Sequence, residues 1–125
     1  MAKPAIFLTF DVEEFDLPLE FNQHISIQEQ MEVGMQGLAA ISPLLNQYEI
    51  QCTLFTTANF AQHFSAEIKE LSHKHEIASH TYYHTTFATE DLLSSRLKLE
   101  EITGKKVIGL RMPRLKDVTV EEVKN

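Results

Sequence analysis

His75–His84, with the sequence HEIASHTYYH, is the stretch from which the rest of the chain can be interpreted. Its apolar middle belongs to a short predicted strand, residues 76–79, that ends directly before His80. A second imidazole follows at His84, and positions i and i+4 of one helical turn point in the same direction. Imidazole is a common ligand of zinc and other divalent metals. His80 and His84 therefore form a candidate metal-ligand pair, with two polar loop residues as the alternative interpretation.

Strand and helix patterns alternate on both sides of this stretch. The predicted strands cover residues 5–10, 50–56, 76–79 and 107–110. The predicted helices cover residues 31–48, 59–64 and 66–74, with one between Thr89 and Gly104 and another from Thr119. This order predicts an α/β fold with a mainly parallel sheet, in one domain over residues 1–125.

Two segments of the first half are less regular. Residues 15–30 are predicted to form a long loop, and loops of this length often have a function. Pro43 lies within the 31–48 helix pattern, where it should kink the helix or start a new one.

Composition limits the function classes. The 125 residues are 43% hydrophobic and 23% charged, which is ordinary for a soluble domain. The net charge of −7 argues against nucleic acid or an anionic membrane as partner. No apolar run approaches the ~20 residues of a membrane span, and the run before Asp11 is too short for a secretory signal. We therefore expect a cytoplasmic protein, unless a leader was removed. The lone Cys52 excludes an internal disulfide and is expected to be a small buried residue.

Other chemistry-bearing residues also follow predicted strands. Asp11, Glu13 and Glu14 follow the first strand, and Arg111 follows the fourth. In parallel α/β folds these strand ends form the ligand-binding face. Two histidines and a carboxylate can hold a metal that activates water, while a second carboxylate acts as general base beside a guanidinium. These groups together suit the hydrolysis of an amide or ester.

Three segments resemble the motifs of a known family. Thr9-Phe10-Asp11, Ser79–His84 and Arg111-Met112-Pro113 resemble, in order, the TFDD, H-[ST]-x-x-H and R-x-P motifs of the polysaccharide deacetylases. This family is the NodB-homology domain of carbohydrate esterase family 4. The resemblance implies a distorted (β/α) barrel that removes acetyl groups from carbohydrate with a divalent metal, zinc being expected. It also implies that Asp11 is the general base, that Arg111 orients it, and that His80 and His84 are metal ligands.

The chain departs from the family pattern at two places. The family's second aspartate, a metal ligand, falls at Val12. In an extended backbone Asp11 and Glu13 share a face, so Glu13 is the candidate third ligand. Glu14 is the less favoured choice, with a solvated acid at the start of the loop as its alternative interpretation. The family's later motifs, with a tryptophan and a histidine that protonates the leaving amine, have no counterpart, and the remaining histidines (His24, His63, His73 and His75) are expected at the surface. The chain is thus expected to be the N-terminal part of a barrel. Either a second chain or an oligomer covers the open half, or the chain is a fragment of a longer protein.

Two alternatives stay open at this point. One is a catalytically silent sugar- or metal-binding module on the same fold, suggested by Val12 and the missing acid. The other is an amide hydrolase of a small molecule, for which the loop 15–30 would narrow the site.

Overall fold

The computed structural model describes residues 2–124 as strands and helices in alternation, with a parallel three-stranded sheet. The strands are β1 (Thr9–Val12), β2 (Thr53–Thr56) and β3 (Glu76–Ser79). The helices are α1 (Leu17–Glu20), α2 (Ile27–Gln47), α3 (Ala58–His63), α4 (Ser65–Leu71), α5 (Glu90–Thr103) and α6 (Val120–Lys124), with a short 3-10 turn at Pro113–Leu115. The predicted α/β class with a parallel sheet is confirmed.

The register of the sheet sets the place of the site. β1 pairs with β2 and β2 with β3, so that Val12, Thr56 and Ser79 lie level at the carboxyl ends of the strands. Parallel strands bring the loops that follow them to the same edge. The segments after β1 and after β3 therefore leave the sheet on the same side, close to each other.

The predicted fourth strand is wrong. The segment 107–110 lies beside β3 but forms only one isolated bridge, between Ser79 and Leu110. Its two hydrogen bonds, from Ser79 N to Gly109 O and from Arg111 N to Ser79 O, are each 2.9 Å long. A strand needs a continuous ladder of backbone hydrogen bonds to a neighbouring strand, and β-favouring side chains alone do not provide one.

The first strand is displaced from its predicted position. Pairing begins at Thr9 opposite Thr53 and continues through Val12, whereas Ile6 and Phe7 are 93% and 89% exposed. Apolar runs show where burial is favourable, but a strand extends only where a neighbour offers hydrogen bonds. β1 therefore includes Asp11, which the sequence placed just beyond it.

The predicted loop 15–30 is also wrong over much of its length. It contains α1 and the first turn of α2, which is capped by a reciprocal pair of hydrogen bonds between Ser26 and Glu29. α2 then continues through Pro43 without a break. Pro43 and Ala39 are exposed, so the carbonyl freed by the missing proline N–H can bond to water.

The core lies between the sheet and its helices. Leu54, Phe60, Ile68 and Leu99 are fully buried, and Cys52 is buried as expected. His75 is only 6% exposed, so its predicted surface position is wrong: its Nδ1 accepts a hydrogen bond from the backbone N–H of Cys52. None of the helices described within 2–124 is long and apolar enough to cross a membrane.

Candidate metal centre

The loop after β3 brings the two histidines together. Residues 80–84 are not helical, so the helical-turn argument for their spacing is wrong. The chain instead turns at Thr81, whose φ of 63° is left-handed and unusual for a β-branched residue. Its backbone N–H donates to Ser79 Oγ, and its carbonyl accepts from the N–H of Ala58 at 3.0 Å. These bonds fix the turn that directs both imidazoles to one side.

The two rings meet Glu13, which follows β1. His80 Nε2 lies 2.9 Å and His84 Nε2 3.1 Å from the same oxygen, Glu13 Oε2. The ring centroids are 5.7 Å apart, and the two rings are stacked. One nitrogen from each ring and one carboxylate oxygen thus lie within 4.8 Å of one another.

The outer nitrogens of both rings have acceptors of their own. His80 Nδ1 is 2.7 Å from the carbonyl oxygen of Arg111, and His84 Nδ1 is 2.7 Å from Asp16 Oδ1. A neutral imidazole that donates through Nδ1 has a lone pair at Nε2. Glu13 Oε2 is buried and, within residues 2–124, no hydrogen bond satisfies it; its near neighbours are the two Nε2 atoms. Converging lone pairs of this kind fit a divalent cation, and nitrogen with carboxylate oxygen is a donor set that zinc accepts.

Asp11 lies beside this group, on the same face of β1 as Glu13. Its Oδ2 is 3.9 Å from His80 Nε2, and its Oδ1 accepts a 2.7 Å hydrogen bond from Arg111 Nη1. Val12 between them is 5% exposed and belongs to the core. The alternation expected of an extended backbone therefore places Asp11 and Glu13 together and Val12 away from them.

Arg111 is itself held in place. Its Nη2 donates to Thr9 Oγ1 at 2.7 Å, and its guanidinium lies 4.1 Å from the centroid of the Phe55 ring. Stacking on an aromatic face and hydrogen bonding through a planar fork both restrict a guanidinium. Asp11 consequently has one oxygen engaged by Arg111 and the other 3.9 Å from His80 Nε2.

Glu14 is a correction to the sequence analysis. It is 3% exposed rather than solvated. Its carboxylate accepts from Thr57 Oγ1 at 2.6 Å, from Asn59 Nδ2 at 3.2 Å and from the backbone N–H of His84 at 3.0 Å. Glu14 thereby ties the segment after β1 to the segments after β2 and β3. The sequence gives no sign of this role beyond the place of Glu14 in a run of acids.

Asp16 was missed altogether. This 3% exposed carboxylate bonds to His84, and Arg114 Nη2 donates to the same Oδ1 at 3.2 Å. Arg114 also donates to the His84 carbonyl at 2.9 Å and to Glu20. Burial opposes the charge of Arg114, but hydrogen bonds and charges of Glu20 and Asp16 outweigh it and raise its pKa. Only the position of Asp16 shortly after the first motif could have drawn attention to it.

Comparison with known proteins places this arrangement in context. A family model described as Polysaccharide deacetylase matches residues 1–122. A candidate polysaccharide deacetylase from Mycobacterium smegmatis superimposes with a TM-score of 0.68 at 22% identity, over 86% of this chain and 42% of its own. A family 4 acetyl xylan esterase from Clostridium thermocellum, in complex with a cobalt ion, gives 0.59 at 18% identity, over 88% and 49%.

A third structure is BA3943 from Bacillus anthracis, a CE4 family pseudoenzyme, with a TM-score of 0.59 at 17% identity over 94% of this chain and 38% of its own. Comparison with curated proteins gives no match. The chain spans less than half the length of these three structures. The likenesses agree with the predicted fold, the N-terminal part of a NodB-type barrel.

Proposed function

The chain belongs to the polysaccharide deacetylase family, of whose domain it matches the N-terminal portion, and we propose that its site removes acetyl groups from N-acetylated carbohydrate by metal-dependent hydrolysis. The observation that carries this proposal is the convergence of His80 Nε2 and His84 Nε2 on the buried Oε2 of Glu13. These three residues would hold the ion. Glu13 thus takes the ligand position that Val12 cannot fill.

The adjacent Asp11–Arg111 pair supports the hydrolytic step. Glu13, His80 and His84 would hold a divalent cation, with zinc as the expected ion, which would lower the pKa of a bound water and polarise a carbonyl oxygen. Asp11 Oδ2 takes the proton of the attacking water, because Arg111 occupies its Oδ1. The water oxygen bonds to the acetyl carbon, the carbon–nitrogen bond breaks, and the proton taken up by Asp11 passes to the leaving amine, so that one water is consumed and acetate and amine are released.

Metal binding can be tested by calorimetric titration of the 125-residue chain with Zn²⁺. We expect binding of one ion, weakened by more than about 100-fold in His80→Ala and Glu13→Gln, because each variant removes one of three ligands. His73→Ala is the matched control, since the His73 side chain is 59% exposed. Equal affinity in wild type and His80→Ala would remove the metal assignment.

A catalytically silent binding module is the second candidate, favoured by the likeness to the Bacillus anthracis pseudoenzyme. Release of acetate from acetylated chitooligosaccharides by the Zn²⁺-loaded chain separates the two. Turnover that is lost in Asp11→Asn supports the hydrolase. Zinc binding without any acetate release supports the silent module.

A further inference from the structure

We propose that Asp16 and Arg114 form a positioning pair that selects the tautomer of His84 and so directs its Nε2 toward Glu13. The significance of this pair for metal binding rests on the proposed function. The tautomer itself does not, because the contacts exist among the chain's own residues. Neither Asp16 nor Arg114 belongs to the three motifs that carry the family resemblance.

The contacts enclose the outer side of the His84 ring. Asp16 is 3% exposed, and its Oδ1 lies 2.7 Å from His84 Nδ1. Arg114 donates to that same oxygen and to the backbone carbonyl of His84. A second carboxylate, Glu20, accepts a hydrogen bond from the Nε of Arg114. One guanidinium thus holds both parts of His84: it binds the main-chain carbonyl directly, and it holds the ring through Asp16.

The chemistry of imidazole makes this arrangement selective. A neutral ring carries its proton on either Nδ1 or Nε2, and only the form protonated at Nδ1 offers a ligand lone pair at Nε2. A carboxylate can only accept, and carboxylates face both ring nitrogens; Asp16 lies closer to Nδ1 (2.7 Å) than Glu13 does to Nε2 (3.1 Å), so Asp16 favours the form protonated at Nδ1. Such partners orient metal-binding histidines and increase their basicity.

The two histidines differ in how this is achieved. His80 donates to the carbonyl of Arg111, a main-chain atom that every substitution retains. His84 depends on a side chain, which substitution can remove. Arg114 suits its place because its planar fork can reach two acceptors at once, which the single ammonium of lysine cannot do in the same geometry. The left-handed φ of 51° at Arg114 turns the chain where this reach is needed.

The test uses the 125-residue chain and two measurements. Long-range ¹H–¹⁵N NMR of the ring nitrogens, in metal-free protein with neutral rings, reports the tautomer of His84. We expect protonation at Nδ1 in wild type and a mixture with the Nε2–H form in Asp16→Ala. Zinc affinity should fall about 10–100-fold in Asp16→Ala. It should stay unchanged in Asp117→Ala, an acid at an exposed position.

The outcomes separate this inference from the proposed function. If wild type binds no zinc, the proposed metal role fails, while the tautomer still supports or overturns the positioning of His84. An unchanged His84 tautomer in folded Asp16→Ala overturns the inference. Should that variant not fold, Asp16→Asn retains the shape with a weaker, neutral acceptor. Asp16→Asn should raise the Nε2–H fraction and weaken zinc binding, each to a smaller extent than Asp16→Ala. An Asp16→Asn protein that equals wild type in both measurements overturns the inference.

Discussion

Gly34, in the N-terminal half of α2, lies against the backbone of Glu13, directly after β1. A Cβ at Gly34 would overlap with the backbone oxygen of Glu13 and lie 2.9 Å from a ring carbon of Phe60. The first neighbour is main chain and the second is a fully buried ring, so neither can rotate away. Gly34→Ala must therefore move α2 away from the loop that carries Glu13.

The same helix offers a matched control. A Cβ on Gly37 would meet nothing within 4 Å. The free energy of unfolding of Gly37→Ala should therefore rise by the full difference in helix propensity between alanine and glycine, about 0.5–1 kcal/mol. Gly34→Ala has the same gain but an overpacking cost of about 1–3 kcal/mol. We expect the two variants to differ in free energy of unfolding by about 1–3 kcal/mol, Gly37→Ala being the more stable.

Urea unfolding measures this difference, and zinc titration measures its effect on the site. Gly34→Ala should also bind zinc more weakly, because displacement of the Glu13 backbone moves the carboxylate away from the two rings. Equal stability and equal zinc affinity of the two glycine variants would refute the claim that close approach of α2 positions Glu13.

Two further predictions concern buried groups. Glu14→Gln replaces one acceptor oxygen by an amide NH2 group that faces hydrogen-bond donors. We expect its free energy of unfolding in urea to be lower than that of wild type by about 2–3 kcal/mol, whereas the exposed Glu67→Gln should stay within about 0.5 kcal/mol of wild type. Similar values for both variants would contradict the role of Glu14 in joining the segments after the three strands. Burial, with a smaller contribution from Lys74, lowers the pKa of His75 below its ordinary 6.5, so the unfolded chain binds this proton first and stability falls as the pH drops below 6.5. His75→Gln should make that decline in thermal stability shallower, and parallel curves for the two proteins would exclude this contribution.

The sequence predicted the parts of the fold that depend on local pattern. β3 was predicted with its observed bounds, and the helix from Thr89 to Gly104 agrees with α5, since cap residues and periodicity are visible in the chain itself. The segment 107–110 does not form the predicted strand, because a strand depends on a continuous ladder of hydrogen bonds to its neighbour, which no local pattern reveals. The capping box of Ser26 and Glu29 was visible in the sequence and was overlooked.

For the site, the sequence supplied the motif residues but not what holds them. Period-two alternation was enough to put Asp11 and Glu13 on one face. The burial of Glu14 and the pairing of Asp16 with His84 depend on contacts between residues about 70 positions apart, which spacing cannot show. The convergence of the histidines was anticipated for a wrong reason, since a left-handed turn at Thr81 replaces the expected helical turn.

The separation of the ligands along the chain links metal binding to folding. Glu14 meets the His84 backbone across 70 positions, so the adjoining Glu13 and the His84 ring come together only in the folded state. Closing a loop of that length in an unfolded chain has an entropic cost of about 4 kcal/mol. An ion at this site would therefore discriminate strongly against the unfolded chain. By mass action, each tenfold rise in free ion above its dissociation constant would add about 1.4 kcal/mol to the stability of the fold.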